Sequence, residues 1–166
     1  MKPCRNTAGF TLIEVIGVLV IIGILAAVLL PRLSATSQFD LTSNADLIRS
    51  QLFYAQGMAM KQGIVGGVKC DGSRYWLFKT NSPDEAANQL LLPGEDAVKV
   101  SLSSKKITLP PFTLYFDFAG RPYTAYTDPI DNTPVAADNQ LVITVGVPSD
   151  PATATITVTP ETGFIQ

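Results

Sequence analysis

The sequence contains no histidine among its 166 residues. Histidine is the side chain that titrates near neutral pH, and it is a frequent ligand of zinc. Its absence excludes catalytic triads that depend on histidine and the common zinc sites. Acid–base chemistry would have to come from carboxylates or lysine, and the sequence predicts no cofactor.

Charged residues are scarce, at 16% of the chain against about a quarter in an ordinary soluble domain. Hydrophobic residues make up 46%, and the excess lies in residues 10–31, where Glu14 is the only charged side chain. The formal net charge of -2 leaves no basic surface for binding phosphates. We therefore expect no direct contact with nucleic acid.

The apolar segment is about 21 residues long. A helix of that length covers roughly 30 Å, which is the thickness of the hydrocarbon core of a bilayer. Lys2 and Arg5 precede it, and a basic flank stays in the cytoplasm. The segment can therefore span a membrane, and the chain that follows it is predicted to be exported.

Two ordinary interpretations of this segment leave features unexplained. A secretory signal peptide has an apolar core of about 7 to 15 residues and a small-residue cleavage site, whereas this segment is longer and has no good site. A permanent anchor fits the length but gives no reason for Glu14. A charge at the bilayer centre costs roughly 2.5 to 3.5 kcal/mol, and less near the interface.

A third interpretation comes from the Gly-Phe-Thr-Leu-Ile-Glu sequence at residues 9–14. Followed by an apolar helix, it resembles the class III signal of type IV pilins and pseudopilins. This resemblance implies that a prepilin peptidase cuts between Gly9 and Phe10 and methylates the new amine. Removal of residues 1–9 would take away Cys4, so that Cys70 would have no intramolecular partner.

The mature chain would then begin with a cationic amine on Phe10, and Glu14 would be its fifth residue. In an assembled filament, the amine of one subunit could pair with the Glu14 carboxylate of its neighbour. Breaking a buried pair typically costs about 3 to 5 kcal/mol because one charge is left uncompensated. Pro31 ends the charge-free run, and its missing N–H predicts a kink or local melting of the helix.

The next segment has the pattern of an amphipathic helix. Ser43 and Asp46 have the spacing of a capping box, with Asp in place of Glu, so a helix is predicted to restart or to continue there. We expect one face to pack on a globular domain, with Arg49, Gln51, Gln56 and Lys61 on a polar surface. The apolar stripe at helical spacing consists of Leu41, Ile48, Leu52, Ala55 and Ala59.

Residues 63–166 are predicted to form strands, because short runs rich in β-branched and aromatic residues alternate with turn signals. Asp71-Gly72 is a strong hairpin signal. The predicted fold class is α+β, with a long N-terminal helix packed on an antiparallel β-sheet or small β-sandwich. The predicted divisions are a leader at 1–9, a transmembrane and assembly helix at 10–31, an amphipathic helix at 32–62 and an exported domain at 63–166. Strands are predicted at 64–70, 74–80, 98–102, 112–118, 141–147 and 153–159.

Three later segments add a narrower resemblance. Residues 52–60, 112–122 and 156–165 are similar to the H-type minor pseudopilin of type II secretion and to the minor pilin of the mannose-sensitive haemagglutinin pilus. Many major pilins carry a C-terminal disulfide loop, for which this chain lacks the cysteines. The departure favours a minor pilin or pseudopilin. The implied partners are prepilin peptidase, other pilin or pseudopilin subunits, the inner-membrane assembly platform and, before assembly, the lipid bilayer. The resemblance also implies a single-pass protein of the bacterial inner membrane, with its leader in the cytoplasm and its C-terminal domain in the periplasm or in an extracellular filament.

Acidic side chains supply the weak candidates for other chemistry. Asp128, Asp131 and Asp138 could gather around calcium, although their spacing is not that of an EF-hand. Acidic loops are usually only solvated, and no metal is expected. Asp117 and Glu161 could form a glycosidase-like pair, but two isolated carboxylates are commonplace, and we expect no enzyme.

Other residues have structural interpretations. Trp76 lies on a predicted strand, where burial in the core is favoured over a partner surface. Lys105 and Lys106 are expected in an exposed turn. The alternative function is a membrane-anchored binding module of an adhesion or DNA-uptake machine, in which the exported domain makes the essential contact.

Overall fold

The computed structural model describes the backbone of residues 11–136, 140–148 and 150–166, and within its long helix it leaves the side chains of residues 27–39 undescribed. The chain divides into two compact units, Met1–Ser37 and Gln38–Gln166. Every strand in the described residues lies in the second unit, together with the core.

Helix α1 runs from Leu12 to Gln62 as one helix of 51 residues. The local melting predicted at Pro31 is wrong, because the backbone stays helical through that position. Of the two possibilities at Ser43, a restart or a continuation of the helix, the structure has the continuation, since Ser43 lies inside α1. The helix ends where Gly63 adopts a left-handed φ of 66°, a conformation that glycine reaches without steric cost.

Nine strands and two short helices follow α1 in the described residues. The strands are β1 Gly66–Cys70, β2 Arg74–Lys79, β3 Gln89–Leu90, β4 Val100–Ser101, β5 Phe112–Phe116, β6 Pro122–Tyr126, β7 Asn132–Pro134, β8 Leu141–Val147 and β9 Asp150–Val158; the short helices are a 3₁₀ turn at Ala86–Asn88 and α2 at Leu102–Lys105.

The first seven strands form one antiparallel sheet in the order β3-β2-β1-β5-β6-β7, with β4 pairing separately to β2. Strands β8 and β9 form a second, two-stranded antiparallel sheet. The predicted α+β architecture is confirmed.

The main core lies where the second half of α1 packs on both sheets. The five residues of the predicted apolar stripe are all buried, and they share one cluster with strand residues such as Val68, Leu114 and Ile156. Burying each leucine or isoleucine side chain of the stripe stabilises the fold by about 1.5 to 3 kcal/mol, and each alanine contributes less. The stripe is therefore what holds α1 on the sheets.

Aromatic residues form a smaller cluster on the other side of the main sheet. Trp76, Phe78, Tyr115 and Tyr126 are buried together there, with the Phe78 and Tyr115 rings edge to face at 5.1 Å. Trp76 is 2% exposed, and its indole N–H donates to the Pro83 carbonyl at 2.8 Å. Alternation along β2 places Tyr75 and Leu77 in the main core instead, so both faces of this strand are buried.

Candidate functional site

Glu14 lies in the first turn of α1. Its backbone N–H donates to the Thr11 carbonyl at 3.1 Å and to the Thr11 hydroxyl at 3.4 Å. A carboxylate near a helix N-terminus interacts favourably with the positive end of the helix dipole. The local structure therefore accommodates Glu14 in an otherwise apolar helix.

The residues around Glu14 expose apolar side chains on every face of the helix. Exposed fractions run from 46% to 78%, and Glu14 is the only ionisable residue between positions 11 and 26. A helix that is apolar all round is stable in lipid or inside a bundle of helices, not as a lone helix in water. The exposed side chains are Leu12, Ile13, Val15, Ile16, Val18, Leu19, Val20, Ile21, Ile22, Ile24 and Leu25.

Gly17 and Gly23 interrupt this apolar surface. An added Cβ at either position would have no atom within 4 Å. Small residues let neighbouring helices approach closely in membranes. The two glycines are therefore positions where a second helix could come nearest to the α1 backbone.

The remaining predicted processing and assembly residues are only partly described. Gly9 and Phe10 lie outside the described residues, and of Pro31 only the helical backbone is described. Within the described part, α1 and the other helices include none that is both long and apolar enough to cross a membrane. The predicted segment at 10–31 includes positions 10 and 27–31, whose side chains lie outside that part.

The Asp128 carboxylate organises a turn. Its Oδ1 accepts hydrogen bonds from the backbone N–H groups of Ile130 at 2.7 Å and Asp131 at 2.8 Å. The bonds from Asp131 and Ile130 lower the pKa of Asp128, because they stabilise the charged form. Asp138 lies outside the described residues, and among those described no group of three His, Cys, Asp or Glu side chains could hold a metal ion.

Asp117 is buried and committed to the turn between β5 and β6. Its Oδ1 accepts from the N–H groups of Ala119 at 2.8 Å and Arg121 at 2.9 Å, and its Oδ2 accepts from the Tyr123 hydroxyl at 3.1 Å. Burial and this bond raise the pKa of Tyr123. Glu161 is exposed in a turn with a φ of 62°. Because the Asp117 carboxylate already accepts three hydrogen bonds, it is better suited to fixing this turn than to attacking a sugar.

A buried acceptor connects the loop before β4 to the core. The Glu95 side chain is 7% exposed, and its Oε1 lies 2.9 Å from Lys105 Nζ. The same oxygen accepts from the Gln51 amide at 3.2 Å and from the Tyr75 hydroxyl at 3.4 Å. Burial, followed by the charge of Glu95, raises the pKa of Tyr75. Lys105 is thus a partly buried ion-pair partner and not part of the exposed turn that the sequence predicted. Gln51, at 1% exposure, is not on the predicted polar surface of α1 either.

Gln56 connects the three segments that resemble minor pseudopilins and minor pilins, residues 52–60, 112–122 and 156–165. From α1, its amide Nε2 lies 2.9 Å from the Gly120 carbonyl oxygen, 3.1 Å from that of Gly163 and 3.2 Å from that of Thr162. Gly120 and Gly163 have φ values of 81° and 62°, which favour glycine. We call this contact, made by Gln56, Gly120 and Gly163, the Gln56 junction. Its geometry could not be read from sequence, although the glycines signalled turns.

Cys70 gives a test of the expectation that the mature chain has no intramolecular disulfide. It is a buried free thiol, and burial raises its pKa, so the thiol stays protonated and unreactive near neutral pH. We expect the urea midpoint of the mature chain beginning at Phe10, which lacks Cys4, to be the same in detergent with and without reductant. Alkylation of Cys70 should follow global unfolding. A lower midpoint in reductant would instead reveal a disulfide to a second molecule.

Comparison with known families matches the N-terminal segment. Residues 4–30 fit the family described as the prokaryotic N-terminal methylation motif. Searches of curated proteins and of solved structures found no match to the chain. The matched segment ends beyond Glu14 and covers most of the apolar helix, and it indicates that the chain is of the type IV pilin-like or pseudopilin class.

Proposed function

We propose that this chain is a minor pseudopilin or minor pilin, a structural subunit of a type II secretion pseudopilus or a type IV pilus, and not an enzyme. The observation that carries the proposal is the methylation motif at residues 4–30, which coincides with an apolar helix containing Glu14 as its single ionisable residue. The β-rich domain would be exported, while the helix anchors the precursor in the inner membrane.

The proposed mechanism begins with cleavage by prepilin peptidase between Gly9 and Phe10. Methylation leaves the Phe10 amine cationic, and this amine is the natural counter-charge for a neighbour's Glu14. The eleven exposed apolar side chains would exchange lipid for other subunit helices as the filament grows. Lipid and neighbouring helices are equally apolar, so this exchange supplies little hydrophobic driving force for assembly. The main role of the charge pair would be to set the register between neighbouring subunits.

A membrane-anchored binding module remains the second candidate. Removal of residues 1–9 takes away Lys2 and Arg5 and leaves 10 basic side chains against 14 acidic ones, a balance of -4. That balance disfavours direct binding of DNA. The module hypothesis therefore requires a protein or surface partner for the exported domain.

N-terminal sequencing of the membrane-extracted protein tests the processing step. We expect the mature chain to begin at Phe10, because the peptidase of this class cuts after the glycine of the motif. Gly9→Val should leave the precursor uncut, whereas Ala8→Val, one residue earlier, should be cut normally. A mature chain beginning near Ala35 would mean cleavage by ordinary signal peptidase and would rule out a filament subunit.

A further inference from the structure

The turn between β6 and β7 displays an isoleucine that the domain does not cover. Ile130 is 96% exposed, and the neighbouring Asp128 and Asp131 are exposed as well. Single exposed apolar residues are common on protein surfaces, so exposure alone does not indicate a contact. Two further features, the rigidity of this turn and its charge, distinguish Ile130 from an ordinary surface residue.

Hydrogen bonds hold this turn in one conformation. Asp128 Oδ1 accepts from the backbone N–H of Ile130 at 2.7 Å, and the backbone N–H of Asp128 donates to the Asp131 carbonyl at 3.2 Å. The Asn132 side-chain amide donates to the Pro129 carbonyl at 2.9 Å. A contact made by a preorganised turn loses less conformational entropy than one made by a flexible loop. The isoleucine is therefore presented to solvent by a fixed support.

The charge in this part of the chain has one sign. Residues 122–166 contain no lysine or arginine. Their acidic side chains are Asp128, Asp131, Asp138, Asp150 and Glu161. We call Asp128, Ile130 and Asp131 the acidic knob, an apolar side chain between two carboxylates. Such a group is complementary to a surface that is apolar at its centre and basic at its edge.

Helix α1 carries a notch of this kind near its C-terminal end. Phe53, Gly57 and Lys61 follow one another at four-residue spacing, so they share one face of the helix. Gly57 has no side chain, and an added Cβ there would meet nothing within 4 Å. Phe53 and Tyr54 are 42% and 49% exposed. The residues that line this notch of about 310 Å³ are Phe53, Tyr54, Gly57, Met58, Lys61 and Gln62.

The notch and the acidic knob match in chemistry. The rings of Phe53 and Tyr54 offer apolar surface to an isoleucine side chain, whose removal from water is favourable. Among the described residues that line the notch, Lys61 is the only charged one, and it would meet the carboxylates beside Ile130. Because Ile130 is 96% exposed, the notch of its own chain does not hold it. The occupant must come from another molecule.

We propose that the acidic knob of one copy of this chain inserts Ile130 into the notch of a second copy. The inference rests on the proposed function and deepens it by naming a contact between subunits. Knob and notch are different surfaces, and a contact between different surfaces can repeat from copy to copy, as in a filament.

The contact is small beside the roughly 1,200 to 2,000 Å² that a stable interface buries. It should therefore be weak between free molecules. In a filament, where other contacts already hold the subunits together, the effective concentration of knob and notch is high. The contact would then fix how neighbouring exported domains are oriented.

Cysteine crosslinking between two variants of the full chain, mixed in detergent, measures this contact. Gln62→Cys places a thiol at the notch, Thr127→Cys places one beside the acidic knob, and a short bismaleimide joins them. Both variants also carry Cys4→Ser, and Cys70 is buried, so the result does not depend on processing by prepilin peptidase. We expect crosslinked heterodimer in about tenfold or greater excess over a control pair, since docking raises the effective concentration of the thiols.

In the control pair, Ser103→Cys, at an exposed position on α2, replaces Thr127→Cys. Gly57→Leu fills the notch and should lower the yield to that of the control pair. Lys61→Glu and Asp131→Lys should each lower the yield, because each places like charges together. Combining Lys61→Glu on the notch variant with Asp131→Lys on the knob variant should restore it.

Fluorescence of the buried Trp76 checks that every variant is folded. Equal yields from the test and control pairs, a yield unchanged by filling the notch, or failure of the exchanged charges to restore the yield would each overturn the proposal. N-terminal sequencing tests the proposed function separately. A mature chain that begins at Phe10 but shows no specific crosslink would leave the proposed function in place and overturn only the docking of the acidic knob.

Discussion

Replacing Glu14 with valine is expected to abolish incorporation into filaments while leaving membrane insertion intact or improved. The substitution removes an ionisable group from an apolar segment, which lowers the cost of insertion. In the filament it leaves a neighbour's Phe10 amine without its counter-charge. An uncompensated buried charge costs about 3 to 5 kcal/mol, or roughly a 150-fold to 5000-fold loss of incorporation.

Three measurements on the same variants decide this: membrane level, thermal stability of the exported domain and recruitment into filaments. Glu14→Gln keeps the shape but loses the charge, so its recruitment should be impaired. Val15→Ile, next to Glu14 on the same apolar helix, is the matched control and should assemble normally. The exported domain should keep its stability in all variants, since Glu14 belongs to the other compact unit. Normal recruitment of Glu14→Val would exclude charge pairing as the register device.

Local chemistry explains why much of the fold was predictable. The hairpin at Asp71-Gly72 forms because Asp71 Oδ1 accepts from the N–H groups of Ser73 at 2.8 Å and Arg74 at 2.6 Å, while Gly72 supplies a φ of 89°. These are short-range interactions that the residue types specify by themselves. The apolar stripe of α1 was predictable for the same reason, because the helical period alone determines which residues share a face.

Tertiary contacts explain what the sequence did not predict. Strand β6 contains Pro122, and β7 is only three residues long, so neither shows a strand pattern. Of the strand predicted at 98–102, only Val100 and Ser101 form a strand, β4. Leu102, the last residue of the predicted strand, instead begins α2. The flank of α1 was misjudged at Gln51 because its burial depends on the loop that carries Pro93, whose carbonyl accepts the Gln51 amide at 3.2 Å.

The candidate site likewise has one part that the sequence predicted and one part that it did not. The motif around Glu14 is a property of consecutive residues and was visible in the sequence, and the family match at residues 4–30 supports it. The Gln56 junction joins segments more than 60 residues apart and needed coordinates. An exposed flank of a helix offers no signal that a glutamine there will meet two distant turns.

Alanine at Gly163 is expected to destabilise the exported domain by about 2 to 4 kcal/mol. Gly163 has a φ of 62°, and the left-handed conformation costs other residues roughly 1 to 2 kcal/mol. The new Cβ would lie 2.4 Å from the Gly120 carbonyl oxygen and 2.5 Å from Gln56 Nε2, so the Gln56 junction would have to open. Each lost hydrogen bond to a partly buried group adds about 1 kcal/mol.

The same substitution at Gly57 is the matched control, and it should act in the opposite direction. Gly57 lies inside α1, has no positive φ, and an added Cβ there meets nothing within 4 Å. Alanine is better than glycine in a helix interior by roughly 0.5 to 1 kcal/mol, so Gly57→Ala should raise stability. Urea unfolding of the full chain in detergent, read from the buried Trp76, measures both. If Gly163→Ala unfolded at the wild-type midpoint while Gly57→Ala shifted upward, the junction would contribute nothing to the fold, and its hydrogen bonds would be replaceable by water.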